Sequence, residues 1–284
     1  MPQIGFSLES RYALPISQVI PLLKNSGFSS VSPLWSQDMD MDALANCVRD
    51  HAMTIQSLHA PHKDISLLWK PDSPESAAVQ GRVMGCVQAC AQFDVPIMVV
   101  HGWQGLIYTF PKEPLNFRFF DTMVEYAVQH NVTVAFENLE GEEYLQALLQ
   151  RYSDQDHVGY CWDSGHDFCY PHKLDFLKEF GNRLIMTHFN DNLGLRDPNG
   201  IPSGDDDLHF LPYDGKINWE QNLRRLKAAP MQETINFEIK TRSHSTAPSD
   251  LPYVHMPLED FFKTAGQRAQ RIAKQYANTM NETP

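Results

Sequence analysis

The chain alternates between two hydrophobic periodicities, and it does so eight times. Short apolar or β-branched runs stand at residues 4–8, 29–35, 54–61, 96–102, 132–140, 158–166, 184–191 and 234–240. Runs of that length bounded by turn residues predict β-strands. Between them, apolar residues recur at helical spacing over residues 16–26, 41–51, 75–93, 115–130, 142–152, 173–180, 219–228 and 258–276. Ser73 and Pro74 supply an N-cap and a proline at the first helical position for the third of these. Strand then helix, repeated in this order, predicts a closed (β/α)8 TIM barrel. The competing doubly wound sheet would place a glycine-rich phosphate loop after its first strand. The residues there, Ser7, Leu8, Glu9, Ser10 and Arg11, form nothing of the kind.

A length of 284 residues suits one such barrel, which typically runs to about 250. One domain over residues 1–277 with a tail at 278–284 is therefore expected. The segment 193–209, rich in Asp, Gly and Pro, reads as an active-site loop. A formal charge of −12 disfavours nucleic acid as the default partner. No apolar run approaches the roughly 18 residues of a membrane span. The N-terminus carries no basic, then apolar, targeting pattern. Cys47, Cys86, Cys90, Cys161 and Cys169 are sparse and odd in number, which predicts reduced thiols and a cytoplasmic location.

Six of the eight strand runs end in a histidine or a carboxylate. These are His59, His101, Glu137, Asp163 with His166 three residues on, His188, and Glu238. Parallel barrel strands are buried on both faces, so charge at a strand end has a cost to offset. The C-terminal rim is where barrel enzymes keep their reactive groups. Carboxylates gathered there repel one another, and a shared cation neutralises them. A mixed His, Asp and Glu set suits Zn²⁺, Mn²⁺, Co²⁺ or Mg²⁺ better than Ca²⁺.

These segments resemble the xylose-isomerase-like barrel superfamily, which holds sugar and sugar-phosphate isomerases and epimerases and the family-2 apurinic endonucleases. The likeness lies in residues 57–61, 100–102, 136–138, 163–166, 188–191, 207–209 with 214–217, and 237–238. It implies that Glu137, Asp163, His188 and Glu238 hold one divalent metal ion. It further implies that Glu137 and Glu238 flank the substrate carbon and exchange its proton. His166 is similar to a residue that contacts substrate oxygens. His59, His101, Asp207 and His209 resemble the additional ligands of trinuclear endonucleases, so these five either touch substrate or bind further metal. The epimerases also place an arginine soon after the strand-seven histidine. Here the sixth residue after His188 is Gly194, and the nearest arginine is Arg196.

The resemblance therefore implies a divalent-metal-dependent isomerase or epimerase of a sugar, a sugar phosphate or a related polyol ketone. Its partner is a small carbohydrate. The alternative is an endonuclease-IV-like multinuclear zinc phosphodiesterase acting on abasic DNA. Against that alternative, the loops at 38–40 and 205–207 are acidic, whereas DNA binding draws on several Lys/Arg contacts. Arg196 and Lys240 are the candidate anchors for a substrate phosphate. Trp35, Trp69, Trp103, Trp162, Phe189, Phe210 and Tyr213 lie near the expected rim and suit either a sugar cleft or ordinary packing.

Overall fold

Every strand pairing in the two sheets is parallel in the structure, a computed structural model that describes residues 1–9, 12, 14–170, 172–197, 199–241 and 253–281. The strands are β1 (Gln3–Leu8), β2 (Ser30–Pro33), β3 (Thr54–Ile55), β4 (Ser57–His59), β5 (Ile97–His101), β6 (Thr133–Glu137), β7 (Val158–Asp163), β8 (Leu184–His188) and β9 (Thr234–Phe237). One sheet runs β3-β2-β1-β9 and the other β4-β5-β6-β7-β8. β3 and β4 are two halves of one stave, interrupted at Gln56. A bridge from Leu34 to His59 joins the sheets on one side, and one from Phe189 to Phe237 joins them on the other. The ring is thereby closed, as the strand–helix alternation predicts.

Outside the ring lie α1 (Ile16–Asn25), α2 (Met41–Asp50), α3 (Pro74–Gln92), α4 (Arg118–Gln129), α5 (Glu142–Arg151), α6 (Ser164–Cys169), α7 (Phe176–Phe180), α8 (Trp219–Arg225) and α9 (Leu258–Asn281). Helix starts follow local chemistry. Asp40, Asp175 and Asn218 each cap with a side-chain oxygen, and Ser73 forms a reciprocal capping box with Ser76. None of the described helices is long and apolar enough to cross a membrane.

Three expectations need correction. The sixth strand run stops at Asp163, and residues 164–166 open α6 instead of extending the strand. The cause is the Asp163 carboxylate, which accepts the His166 backbone N–H at 2.7 Å and so caps a helix. The last helix runs to Asn281, four residues into the segment expected as a tail, with Met280 packed against the core. The sixth helical segment, expected over 173–180, is helical only at α7. Residues 282–284 of the expected tail lie outside the described residues.

Asp191, in the strand-seven run, proves to be an anchor for the backbone beyond the barrel. It is fully buried, and its Oδ1 accepts from the N–H groups of Asn192 (2.8 Å) and Ile217 (3.1 Å). Its Oδ2 accepts from Tyr213 N–H (2.8 Å) and Trp219 Nε1–H (3.0 Å). Asp191→Ala would strand four donors, each costing about 1–3 kcal/mol when buried and unpaired. A loss of about 3 kcal/mol or more in urea unfolding is expected, and a shift below about 0.5 kcal/mol, the range of ordinary surface changes, would refute this role.

Candidate metal centre

Period-two alternation aims His59, His101, Glu137, Asp163 and His188 into the barrel. Register stacks them side by side. His101 pairs with Glu137 across β5 and β6, and Asp163 pairs with His188 across β7 and β8. Two residues earlier on each strand, Val99, Ala135, Cys161 and Met186 form a buried layer beneath them. Glu238 follows β9 directly, and its N–H donates to the Phe189 carbonyl at 3.1 Å. Asp207 and His209 come from the loop after β8, His209 with a positive φ of 48°. Backbone in that sparsely populated region tends to collect at functional sites.

Glu137 is the hub. Its Oε2 stands 3.0 Å from His59 Nε2 and 3.2 Å from His101 Nε2, and its Oε1 is 2.9 Å from His188 Nδ1. Glu238 Oε2 approaches the same His188 Nδ1 to 2.7 Å, yet this oxygen is buried without a hydrogen-bond partner. A ring nitrogen carries at most one proton, so Nδ1 cannot donate to both carboxylates at once. One ligand atom from each of Glu137, Asp163, His188 and Glu238 lies within 4.8 Å of the others. The same spacing holds for three further groups: His59 with His101 and Glu137, Glu137 with Cys161 and His188, and His166 with Asp207 and His209. The structure thus brings together all nine of the metal-ligand candidates read from the sequence.

The histidine tautomers test whether these residues fit a cation. His59, His166 and His209 place Nδ1 at 2.8, 2.8 and 2.9 Å from the carbonyls of Ala60, Asn138 and Glu238. A carbonyl only accepts, so each Nδ1 carries the proton. Each Nε2 then faces a carboxylate oxygen: Glu137 at 3.0 Å, and Asp207 at 3.4 Å from His166 and 2.9 Å from His209. A lone pair facing a carboxylate is repulsive unless a proton or a metal ion lies between. Metal-binding histidines are held in this way, the far nitrogen on a carbonyl and the near one toward the ion. The donor set fits a divalent cation.

Without a cation, the same crowding of donors shifts the titration of several of these groups. Burial opposes ionisation of Glu137, but His188, His101 and His59 together hold its carboxyl well below the usual range. Burial likewise opposes charging of His166, yet Asp163 and Asp207 raise it well above an ordinary imidazole. Asp163 shifts upward because burial dominates. Its carboxylate is positioned by the His166 N–H on one oxygen and by Asn190 Nδ2 at 2.8 Å on the other. Asn138 grips the backbone of Asp163 from both sides, accepting its N–H at 2.8 Å and donating to its carbonyl at 2.9 Å. Gly165 has no alternative, since a Cβ there would collide with Asn190 Oδ1. These supporting residues sit inside the recognised segments, but sequence reasoning assigned them no role.

Above the cluster opens a cavity of about 510 Å³. Lys240 lines it, with Nζ 4.0 Å from Glu238 Oε1, as the shared parity of the two residues suggests. Arg196 does not line it. Its guanidinium donates to the Asp205 carbonyl at 2.9 Å. None of the seven aromatic rings expected near the rim is a lining residue; Trp103, for example, stacks on Tyr144. The lining ring is Tyr170, which sequence reasoning missed, as it missed His62, Gln104 and Glu140. His62 stacks on His101, and burial with the neighbouring His101 and His59 pushes its pKa down to about 3.

The xylose isomerase-like TIM barrel family model matches residues 20–258, and the chain belongs to that family. An uncharacterised protein of Sinorhizobium fredii, y4fM, is 38% identical over 133 residues, 44% of this chain and 39% of its own length. The chain thus spans well under half of that relative. Among solved structures, zinc-bound IolI aligns with a TM-score of 0.71 at 16% identity, covering 96% of this chain and 99% of IolI. A D-tagatose 3-epimerase-like protein aligns with a TM-score of 0.68 at 18% identity, covering 98% of each chain. At these identities the likeness to solved structures establishes the barrel fold.

Proposed function

We propose that this protein is a divalent-metal-dependent isomerase or epimerase of a polyhydroxy ketone. The observation that carries the reading is the convergence of Glu137 and Glu238, from opposite sides of the β8 stave, on the one nitrogen His188 Nδ1, at 2.9 and 2.7 Å. Glu137, Asp163, His188 and Glu238 would hold the cation. A bound divalent ion would supply Lewis acidity toward adjacent carbonyl and hydroxyl oxygens, which makes the C–H between them easier to ionise.

The chain's own residues do the rest. Glu238 and Glu137 take a proton from one face of that carbon and return it on the other. They are not equivalent: the Glu238 side chain keeps 19% exposure, while that of Glu137 keeps none. Glu238 is therefore the carboxylate that exchanges its proton with solvent. His166, neighbour to Asp207 and Asp163, would hold substrate oxygens.

The test is metal analysis of the purified protein combined with a ketose screen in D₂O. Deuterium entering the carbon next to the carbonyl is the expected result. Turnover that keeps the substrate's own hydrogen would indicate a hydride shift instead. A second reading, a multinuclear phosphodiesterase, is favoured by the two further donor groups around His59 and His209. Two or three ions per chain together with cleavage of abasic DNA would select it.

A further inference from the structure

Beneath the centre lies a donor that the proton-transfer reading leaves unused. Val99, Ala135, Cys161 and Met186 form a buried layer inside the barrel, with Ile97 and Ile185 packed against it. A buried cysteine in such a layer is ordinarily a small, inert hydrophobe. Position sets Cys161 apart from that default. It is the register partner of Glu137 across β6 and β7, and it stands two residues before Asp163 on β7. Its Sγ, a Glu137 carboxylate oxygen and a His188 ring nitrogen lie within 4.8 Å of one another, and all three residues are buried. Two ligand bonds of about 2.0–2.3 Å span at most about 4.6 Å, so this spacing is close to the reach of one ion.

Two donor sets thus share Glu137 and His188. One continues to Asp163 and Glu238 and adds only carboxylate oxygen; the other continues to the sulfur of Cys161. They do not suit the same ions. Carboxylate oxygens suit hard cations such as Mg²⁺ and Mn²⁺, whereas a thiolate selects softer ones such as Zn²⁺. Glu238 supplies an independent sign that a cation belongs beside His188. Its Oε2 is buried with no hydrogen-bond partner, 2.7 Å from Nδ1, while Glu137 Oε1 stands 2.9 Å from the same nitrogen. One proton cannot serve both carboxylates, and a cation relieves the repulsion that is left.

We propose that Cys161 is a sulfur donor at the floor of the centre, completing with Glu137 and His188 a position for a thiophilic divalent cation of the Zn²⁺ or Cd²⁺ class. This rests on the metal-dependent reading and names the class of metal for that same site. On binding, the Cys161 S–H bond breaks and the sulfur lone pair forms the bond to the ion. The proton passes to solvent by way of the cavity that Glu137 lines. Mg²⁺ leaves the thiol protonated and uses the oxygen set alone.

The experiment titrates the metal-free full-length chain with Cd²⁺ and with Co²⁺. It follows near-ultraviolet absorbance, ions bound per chain, and competition by Mg²⁺. A thiolate bound to either ion gives a charge-transfer band that oxygen and nitrogen ligands do not. Wild type should develop that band with the first equivalent of metal. Cys161→Ser should lose the band, still bind an ion through the oxygen set, and lower the preference for Cd²⁺ over Mg²⁺ by about 10- to 100-fold, no less than the loss of an outer-shell partner costs. Cys47→Ser, at the partly exposed thiol, should keep the band in full. Should serine unsettle the apolar layer, Cys161→Ala gives the same readout, since that layer already holds Ala135. A band that survives both Cys161 variants, or an ion bound to wild type with no band, overturns the inference and leaves the metal-dependent reading standing. If wild type binds none of these ions, that reading fails and the inference falls with it.

Discussion

Glu238→Gln is expected to keep its metal and to lose about 10²–10⁴-fold in turnover, the range for removing a general acid–base group. The amide keeps an oxygen at the position of Oε2, 2.7 Å from His188 Nδ1, and nearly the same volume. It cannot accept and return a proton. Solvent deuterium should therefore vanish from the product along with the rate, while metal content measured on the same sample stays at the wild-type value. Full activity in this variant would leave Glu238 as a ligand only. Turnover without solvent deuterium in wild type would move the chemistry toward hydride transfer or hydrolysis.

Replacing Glu137 should do something different, because Glu137 is the counter-charge for the whole cluster. Three imidazoles, His59, His101 and His188, lie within 3.2 Å of its two oxygens, and His166 Nδ1 lies at 3.6 Å. Glu137→Ala would leave them facing one another with a ligand missing. Removing one partner of a buried charged pair typically costs about 3–5 kcal/mol. The metal linkage gives a cleaner readout. A ligand that binds only the folded state stabilises it by about 2.7 kcal/mol at a hundredfold excess over Kd. Added Zn²⁺ or Mn²⁺ should raise the unfolding midpoint of wild type by a corresponding amount and leave that of Glu137→Ala unmoved. An undiminished metal-dependent shift in the variant would remove Glu137 from the ligand set.

Much of the candidate site is legible from sequence because barrel geometry ties chain position to spatial position. A histidine or carboxylate that ends an apolar run must stand on the rim, and Glu137, Asp163 and His188 are there. Strand parity adds direction, which places Lys240 with Glu238 in the cavity. Arg196 and Tyr170 show where this logic stops. Both belong to segments beyond the strands, where no periodicity relates sequence spacing to direction. Arg196 turns to the Asp205 carbonyl, and Tyr170 turns to the cavity. Asp163 shows a second limit, since the side chain read as a ligand also caps a helix and cuts its strand short.

By itself, the sequence determines the eightfold strand–helix order, the side of the barrel on which the ligand-type residues gather, and the chemical types in the donor set. Periodicity and residue chemistry are local properties, and a closed ring of parallel strands converts them into positions. Tertiary structure alone decides which atoms meet. It assigns both His188 contacts to Nδ1, places Nδ1–H of His59, His166 and His209 on backbone carbonyls, and buries Glu238 Oε2 beside His188. It also decides the rest of the cavity lining, since Gln104, Glu140 and Tyr170 come from three different loops. Loop direction follows from packing against partners far away in the chain, and those partners are set only once the barrel has closed.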